Sequence, residues 1–255
     1  MSKKGNETIK TVTVAGLLCL ICSIIVSSIV VSLRPKQAKN AELDMKKNIL
    51  SSAGMLTKDA DVNALFDTLD TMIIDLETGK QVTEVEANSY NQVEAVKNPK
   101  YSVNIPADKD VANLKTRSKY AKVYLKKNDA GNVETVILAH WGKGLWSTMY
   151  GYIALGGEEL NTIRGFAYYA QGETPGLGGE VDNPSWKKQW IGKKVYGEEG
   201  LVKFKVAKAE STGKYAVDGL SGATITANGV SSSMKYWFGS HGYKQAIQNL
   251  KTGEI

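Results

Sequence analysis

The sequence predicts an α+β domain with a mostly antiparallel sheet, set behind one N-terminal transmembrane helix. Three observations carry that expectation. Residues 11–33 hold no formal charge. Between residues 121 and 206, apolar residues alternate with polar ones in short runs separated by Gly, Asn and Asp. A helix-period pattern then follows at residues 226–238, so strands and helices are segregated rather than interleaved as in βαβ units.

The uncharged run, TVTVAGLLCLICSIIVSSIVVSL, is 23 residues long. As a helix it reaches about 34 Å, enough for a hydrocarbon core of about 30 Å. A cleaved signal peptide has a shorter apolar region and a small-x-small cleavage site, whereas Arg34-Pro35-Lys36 follows here. The run reads as an uncleaved anchor. Lys3, Lys4 and Lys10 precede it, and Arg34, Lys36, Lys39, Lys46 and Lys47 follow. That balance leaves orientation open, since long domains translocate largely regardless of charge. Cys19 and Cys22 lie mid-span among Ala, Gly and Ser, where small-residue helix packing accounts for them. With no ionisable residue, the span by itself offers no ion pathway.

Beyond the anchor, Ala41, Leu43, Ile49 and Leu50 mark a juxtamembrane helix, placed within residues 34–58. A second helix is expected over residues 59–69 and an extended stretch over residues 72–76, stopped by Thr78-Gly79. Residues 81–118 carry no clear period. A hairpin follows: residues 121–125, a turn at Asn128-Asp129-Ala130-Gly131, and residues 133–139. Residues 150–155 and 162–169 pair around Gly156-Gly157, and Val202, Phe204 and Val206 alternate with lysines as one further strand. Helix 226–238 places Val230, Met234 and Trp237 on one face, and Gly239 ends it.

Composition removes several functions. The chain is 42% hydrophobic with a net charge of +6, too mild and scattered for nucleic acid. The densest basic and aromatic stretch, residues 186–194, reads as a surface helix with Trp186 and Trp190 facing the core. His140 and His241 stand apart, and both cysteines lie in the apolar run, so no metal site or disulfide framework is expected. No dinucleotide-binding or phosphate-loop glycine motif is present.

Of the 25 glycines, 20 fall in residues 142–255, and they concentrate in three segments. These are Gly142-Lys143-Gly144-Leu145-Trp146-Ser147, then Gly172-Glu173-Thr174-Pro175-Gly176-Leu177-Gly178-Gly179-Glu180, then Asp218-Gly219-Leu220-Ser221-Gly222-Ala223-Thr224-Ile225-Thr226. Singly, each reads as a loop whose glycines supply positive φ. Together they suggest backbone close to a large flat ligand, with Trp146 and Leu177 as apolar walls and glycine N–H groups for phosphate.

Asp218-x-x-Ser221-Gly222-Ala223-Thr224 resembles the recognition motif of periplasmic flavin transferases, in which the last threonine is joined to FMN by a phosphodiester. With the single span, GKGLWS, ETPGLGGEVDNP and DGLSGATITANGV, residues 8–245 resemble the covalent-FMN (C) subunit of the Na+-translocating NADH:quinone oxidoreductase. The G subunit of the Rnf electron-transport complex, with the same layout, is a less similar relative. A reading of another class is an anchored interaction or sensor domain without cofactor. The resemblance implies a one-electron carrier with covalent FMN on Thr224, within a flavinylation motif of Asp218, Ser221, Gly222 and Ala223. It implies cofactor contacts from Trp146, Glu173, Thr174, Gly176, Leu177 and Gly178, and no catalytic group beyond the flavin. It further implies a cytoplasmic N-terminus (residues 1–10), an anchor in the inner membrane (11–33) and a periplasmic FMN-binding domain (59–255). The implied partners are the other subunits of the complex and, during maturation, a flavin transferase. Electrons would arrive from an iron centre and leave to FMN on the B subunit, with NADH, sodium and ubiquinone bound elsewhere. Thr224 is expected just ahead of the last helix, and Thr226 at its start with its hydroxyl on the backbone.

Overall fold

The computed structural model describes residues 3–208 and 213–255. They form two units, residues 1–44 and 45–255. The first unit is helical. It holds most of α1 (Lys3–Ser52), whose best 18-residue window has a mean hydropathy of 2.8 and no buried residue. An exposed helix that is apolar all round suits lipid rather than water. Thr11, Thr13 and Ser23 donate their hydroxyls to the carbonyl four residues back, so these three hydroxyls are satisfied within the helix. The two helices expected before and after Arg34 are one, since α1 continues through Pro35. It stops at Ser52, earlier than expected. There Gly54 takes φ +68° and the Met55 amide bonds the Leu50 carbonyl, a left-handed glycine stop.

The second unit is built on a five-stranded antiparallel sheet in the order β1-β4-β5-β6-β7. Its strands are β1 (Asp70–Asp75), β4 (Tyr120–Lys127), β5 (Val133–Lys143), β6 (Thr148–Gly156) and β7 (Thr162–Ala170). Between β1 and β4 lie α3 (Gln92–Ala95) and a small ribbon of β2 (Ser102–Asn104) and β3 (Thr116–Ser118), in the stretch without readable period. The expected helix at 59–69 is reduced to α2 (Val62–Phe66), capped by the Asp61 carboxylate.

Period-two alternation divides the strands between two cores. Val123, Leu125, Val136, Leu138, Ile153 and Leu155 face one cluster with α5 (Thr224–Trp237) and α6 (Lys244–Thr252). Tyr124, Ile137, Ala139, Tyr152 and Ala154 face the other, closed by Ile49 and Leu50 from the last turns of α1. Burial on both faces is why β5 reads as the unbroken apolar run Val136-Ile137-Leu138-Ala139. His140 within it is fully buried, its Nδ1 3.2 Å from Ser233 Oγ, and burial holds its pKa down to about 3. It is a neutral core residue.

Hydrogen bonds pin α5 and its C-terminal neighbour to β5. Trp237 Nε1 and Ser233 Oγ both donate to the Trp141 carbonyl, at 2.7 and 3.0 Å, and the Tyr243 hydroxyl donates to the Ala139 carbonyl at 2.6 Å. The tryptophan pair of the basic stretch is internal as expected. Trp190 stacks on Phe166 at 3.8 Å, and Trp186 is buried on α4 (Pro184–Lys188). The strand expected at 202–206 shrinks to β8 (Lys205–Val206), paired in parallel with β9 (Ala216–Val217). Its alternation reflects Phe204 and Val206 entering the main core from an irregular segment.

Candidate functional site

The three glycine-rich segments converge where β5 ends and α5 begins. The first segment spans the β5–β6 turn, in which the Gly144 amide bonds the Ser147 carbonyl at 2.8 Å. The third runs directly into α5. The second, residues 172–180, lies between them and is tied to both through one side chain.

That side chain is Glu173, only 5% exposed. Its Oε1 accepts from the Trp146 amide, the Ser147 amide and the Ser147 hydroxyl, each at 3.0 Å. Its Oε2 accepts from the Leu145 amide at 3.0 Å and from the Thr226 hydroxyl at 2.6 Å. The Ser147 hydroxyl in turn accepts from the Gly172 amide at 2.8 Å. Burial by itself raises the Glu173 pKa, but the hydrogen bonds from Thr226, Trp146, Leu145 and Ser147 prevail and hold it below the usual carboxylate range.

A carboxylate whose folded pKa is depressed stabilises the fold above its unfolded value of about 4.3. That contribution disappears as pH falls through the folded pKa. Glu134 and Glu159 are also held low, by Lys126 and Lys251, but both pairs are exposed and contribute little. The urea midpoint should therefore fall in two parts as pH drops, first below about pH 6.5 because buried His140 resists protonation, then below about pH 4.3 because Glu173 must be protonated, and Glu173→Gln should flatten that second fall. An equally steep fall in the variant would remove Glu173 as its source.

The glycines serve the protein's own packing more than the sequence suggests. A methyl group at Gly144 would lie 2.5 Å from Glu173 Oε1, and one at Gly178 would lie 2.7 Å from Thr226 Oγ1. At Gly229 it would lie 1.9 Å from the Lys143 carbonyl oxygen. These positions let backbone and carboxylate meet. Gly176, at φ +76°, has open space around it, and Gly222, at φ +69°, meets only Leu177 Cδ2.

Beside this framework lies an apolar face. Trp146 is 71% exposed, Leu177 44%, and Leu145 and Ile225 more than half. Ser221, Gly222, Thr174 and Gly176 are exposed, Asp218 is half-buried, and Ala223 and Gly178 are buried. Cavities of about 690, 380 and 360 Å³ are lined by other residues, and none of the three includes Thr224, Trp146 or Leu177.

Thr224 and Thr226 are separated more sharply than expected. The helix begins at Thr224 itself, two residues before the expected start, with Ala223 at the N-cap and no side-chain cap. Thr224 is exposed, whereas Thr226 is 1% exposed. The Thr226 hydroxyl bonds the Glu173 carboxylate rather than the backbone, which corrects the expectation for that residue. Asp218 lies on the approach to α5, its carbonyl accepting from Trp186 Nε1 at 2.8 Å and its amide donating to Gln189 Oε1 at 2.9 Å. Sequence reasoning missed Leu145, Ser147 and Thr226 as partners of Glu173. The two ends of that cluster are 28 and 53 residues from Glu173, and nothing in the sequence couples them.

The start of α5 suits an anionic group, and the exposed side chains beside it suit an aromatic one. The first amides of α5 have no intrahelical acceptor and no side-chain cap, so they and the helix dipole favour an anion there. The exposed Trp146 and Leu177 offer flat apolar area to a ring system.

Comparison with known proteins identifies the family. Residues 144–239 match the FMN-binding domain family. The chain is 42% identical over 260 residues to the Na+-translocating NADH-quinone reductase C subunit of Pasteurella multocida, covering 100% of this chain and 99% of the relative. It is 43% identical over 258 residues to that of Vibrio alginolyticus, covering 100% of each. The crystal structure of Shewanella oneidensis NqrC superposes with a TM-score of 0.75 at 32% identity, covering 83% of this chain and 99% of that one. The C subunit from Parabacteroides distasonis gives 0.65 at 28% identity, covering 84% and 96%. With identity above two fifths over its full length, the chain belongs to the family of C subunits of the Na+-translocating NADH-quinone reductases, an oxidoreductase complex.

Proposed function

We propose that this chain is the membrane-anchored electron carrier of that complex, with FMN joined by a phosphodiester to the Thr224 hydroxyl. The observation that carries the reading is Thr224 itself, an exposed residue at the first position of an uncapped 14-residue helix. When bound, FMN supplies one-electron chemistry that no side chain here provides. The residues of the chain hold and orient it. The first-turn amides of α5 would hold the phosphate, and Trp146 and Leu177 would hold the ring. Thr174, Gly176 and Gly178 shape the segment that carries Leu177. Asp218, Ser221, Gly222 and Ala223 present Thr224 to a flavin transferase, their small side chains leaving the approach clear.

In the proposed arrangement residues 11–33 anchor the chain in the inner membrane, with residues 1–10 cytoplasmic and the FMN-binding domain periplasmic. Electrons reach the flavin from an iron centre on other subunits and pass to the FMN of the B subunit, while NADH, sodium and ubiquinone bind elsewhere. The deciding experiment is the intact mass of the protein expressed with and without a flavin transferase. One FMN less one water should be gained only with the enzyme. No gain beside an active transferase would sink the proposal.

A second consequence concerns the anchor. Ile49 and Leu50 are fully buried in the second core cluster, whereas residues 11–33 contribute nothing to either cluster. Deleting residues 1–33 should therefore give a water-soluble, folded domain that still gains the flavin mass when exported with the transferase. Aggregated or flavin-free protein would contradict it.

A further inference from the structure

Glu173 does more than fill space beneath this face. A carboxylate offers about four lone-pair sites, and the Glu173 oxygens already receive five donors from the protein. Little acceptor capacity is left for a ligand. Three of the donors are consecutive amides of the turn that carries Trp146, and a fourth is the Ser147 hydroxyl of the same turn. The fifth is Thr226, in the first turn of α5 and two residues beyond Thr224. The glycines at 144 and 178 leave room for the carboxylate, since a Cβ at either would come within 2.9 Å of its oxygens.

We propose that Glu173 is a positioning residue: its carboxylate locks the Trp146 turn to the first turn of α5, so that the apolar wall and the attachment point at Thr224 are held as one body. This deepens the flavin reading above and rests on it. The physical reason is preorganisation. Trp146 is 71% exposed on a four-residue connection between β5 and β6, and its side chain has little packing to fix it. The fixed element is the backbone beneath it, and hydrogen bonds to a charged, buried acceptor are the strongest available for that task. A glutamine at 173 would turn an NH2 group towards N–H donors and undo the lock with almost no change in volume.

The test uses full-length protein in detergent and two readouts. The first is amide hydrogen exchange at Leu145, Trp146 and Ser147 in flavin-free protein made without transferase. In wild type these amides should be protected. In Glu173→Gln they should exchange about tenfold faster or more, while the amides of residues 230–237 in α5 keep their protection. The second is native flavin fluorescence after loading. Glu173→Gln should carry the flavin by intact mass, yet its fluorescence should move towards that of Trp146→Ala. Should Glu173→Gln fail to fold, Thr226→Val and Ser147→Ala each remove one donor and keep the charge, and each should speed exchange of the turn severalfold. Wild-type exchange in the turn would overturn the proposal. So would loss of protection spread evenly through α5, or wild-type fluorescence in loaded Glu173→Gln. Wild type without flavin would instead overturn the reading beneath it, and the exchange data would still decide the lock.

Discussion

Thr224→Ala is expected to abolish covalent flavin entirely, whereas Thr226→Ala keeps it. The two hydroxyls are two residues apart on one helix but differ in access. A transferase must bring its own active site to the oxygen it modifies, and only Thr224 is exposed. Thr226 is 1% exposed and already donates to Glu173 at 2.6 Å. Its loss should appear as lowered stability, about 1.5–3 kcal/mol for a hydrogen bond to a charged group. Ser221 is exposed too, but it precedes the helix, where no first-turn amides face a linked phosphate. Thr224→Ser, which restores a hydroxyl at the same place, should restore labelling. In-gel flavin fluorescence after denaturation reads each variant, and peptide mass spectrometry locates the bond. Fluorescence retained in Thr224→Ala and lost in Thr226→Ala would reverse the assignment.

The sheet was legible where period-two alternation runs over several residues, because each face of β4, β5 and β6 meets a separate core. Helix α5 was legible from Val230, Met234 and Trp237, all fully buried. Residues 81–118 were not, because their elements are three or four residues long and depend on side-chain ties. Asn91 caps α3, and the Asp110 carboxylate accepts the Leu114 and Lys115 amides across a turn with two non-glycine residues at positive φ. Nothing in the reading of residues 240–255 predicts α6. Its apolar residues Ala246, Ile247 and Leu250 are few, and they gain meaning only against the main core.

At the site, the segments that matter were visible as glycine clusters, but the reason for the glycines was not. Composition marks where backbone must come close to something. It does not say whether that something is a ligand or the chain itself. Gly142, Gly144, Gly178 and Gly229 meet the chain itself. Glu173 illustrates the same limit, since its residue type and position were readable while its five donors lie up to 53 residues away.

Gly229→Ala is expected to be the most damaging single methyl group in the domain. In an exposed helix the same change helps, by about 1 kcal/mol, because glycine is the poorer helix former. Here the added carbon would lie 1.9 Å from the Lys143 carbonyl oxygen and 3.0 Å from its carbon, well inside contact distance. Both neighbours are backbone, so no side-chain rotation relieves the clash. The Lys143 end of β5 is paired with Thr148 of β6, and α5 is bonded to the Trp141 carbonyl two residues earlier. Helix and strand must therefore move apart together, opening the packing of Val230 and Met234. Overpacking of this kind costs about 1–3 kcal/mol and sometimes more, which outweighs the helix-propensity gain. Each kcal/mol lowers the melting temperature by about 2–4 °C in a domain of this size. The displacement also reaches the site, because Lys143 leads into the Trp146 turn and Gly229 lies five residues beyond Thr224. Flavin attached to the variant should consequently show altered fluorescence as well as a lower melting temperature. Asn228→Ala, at the exposed neighbouring position, is the control and should leave stability unchanged or slightly raised. A Gly229→Ala domain as stable as that control would mean that α5 does not approach β5 this closely.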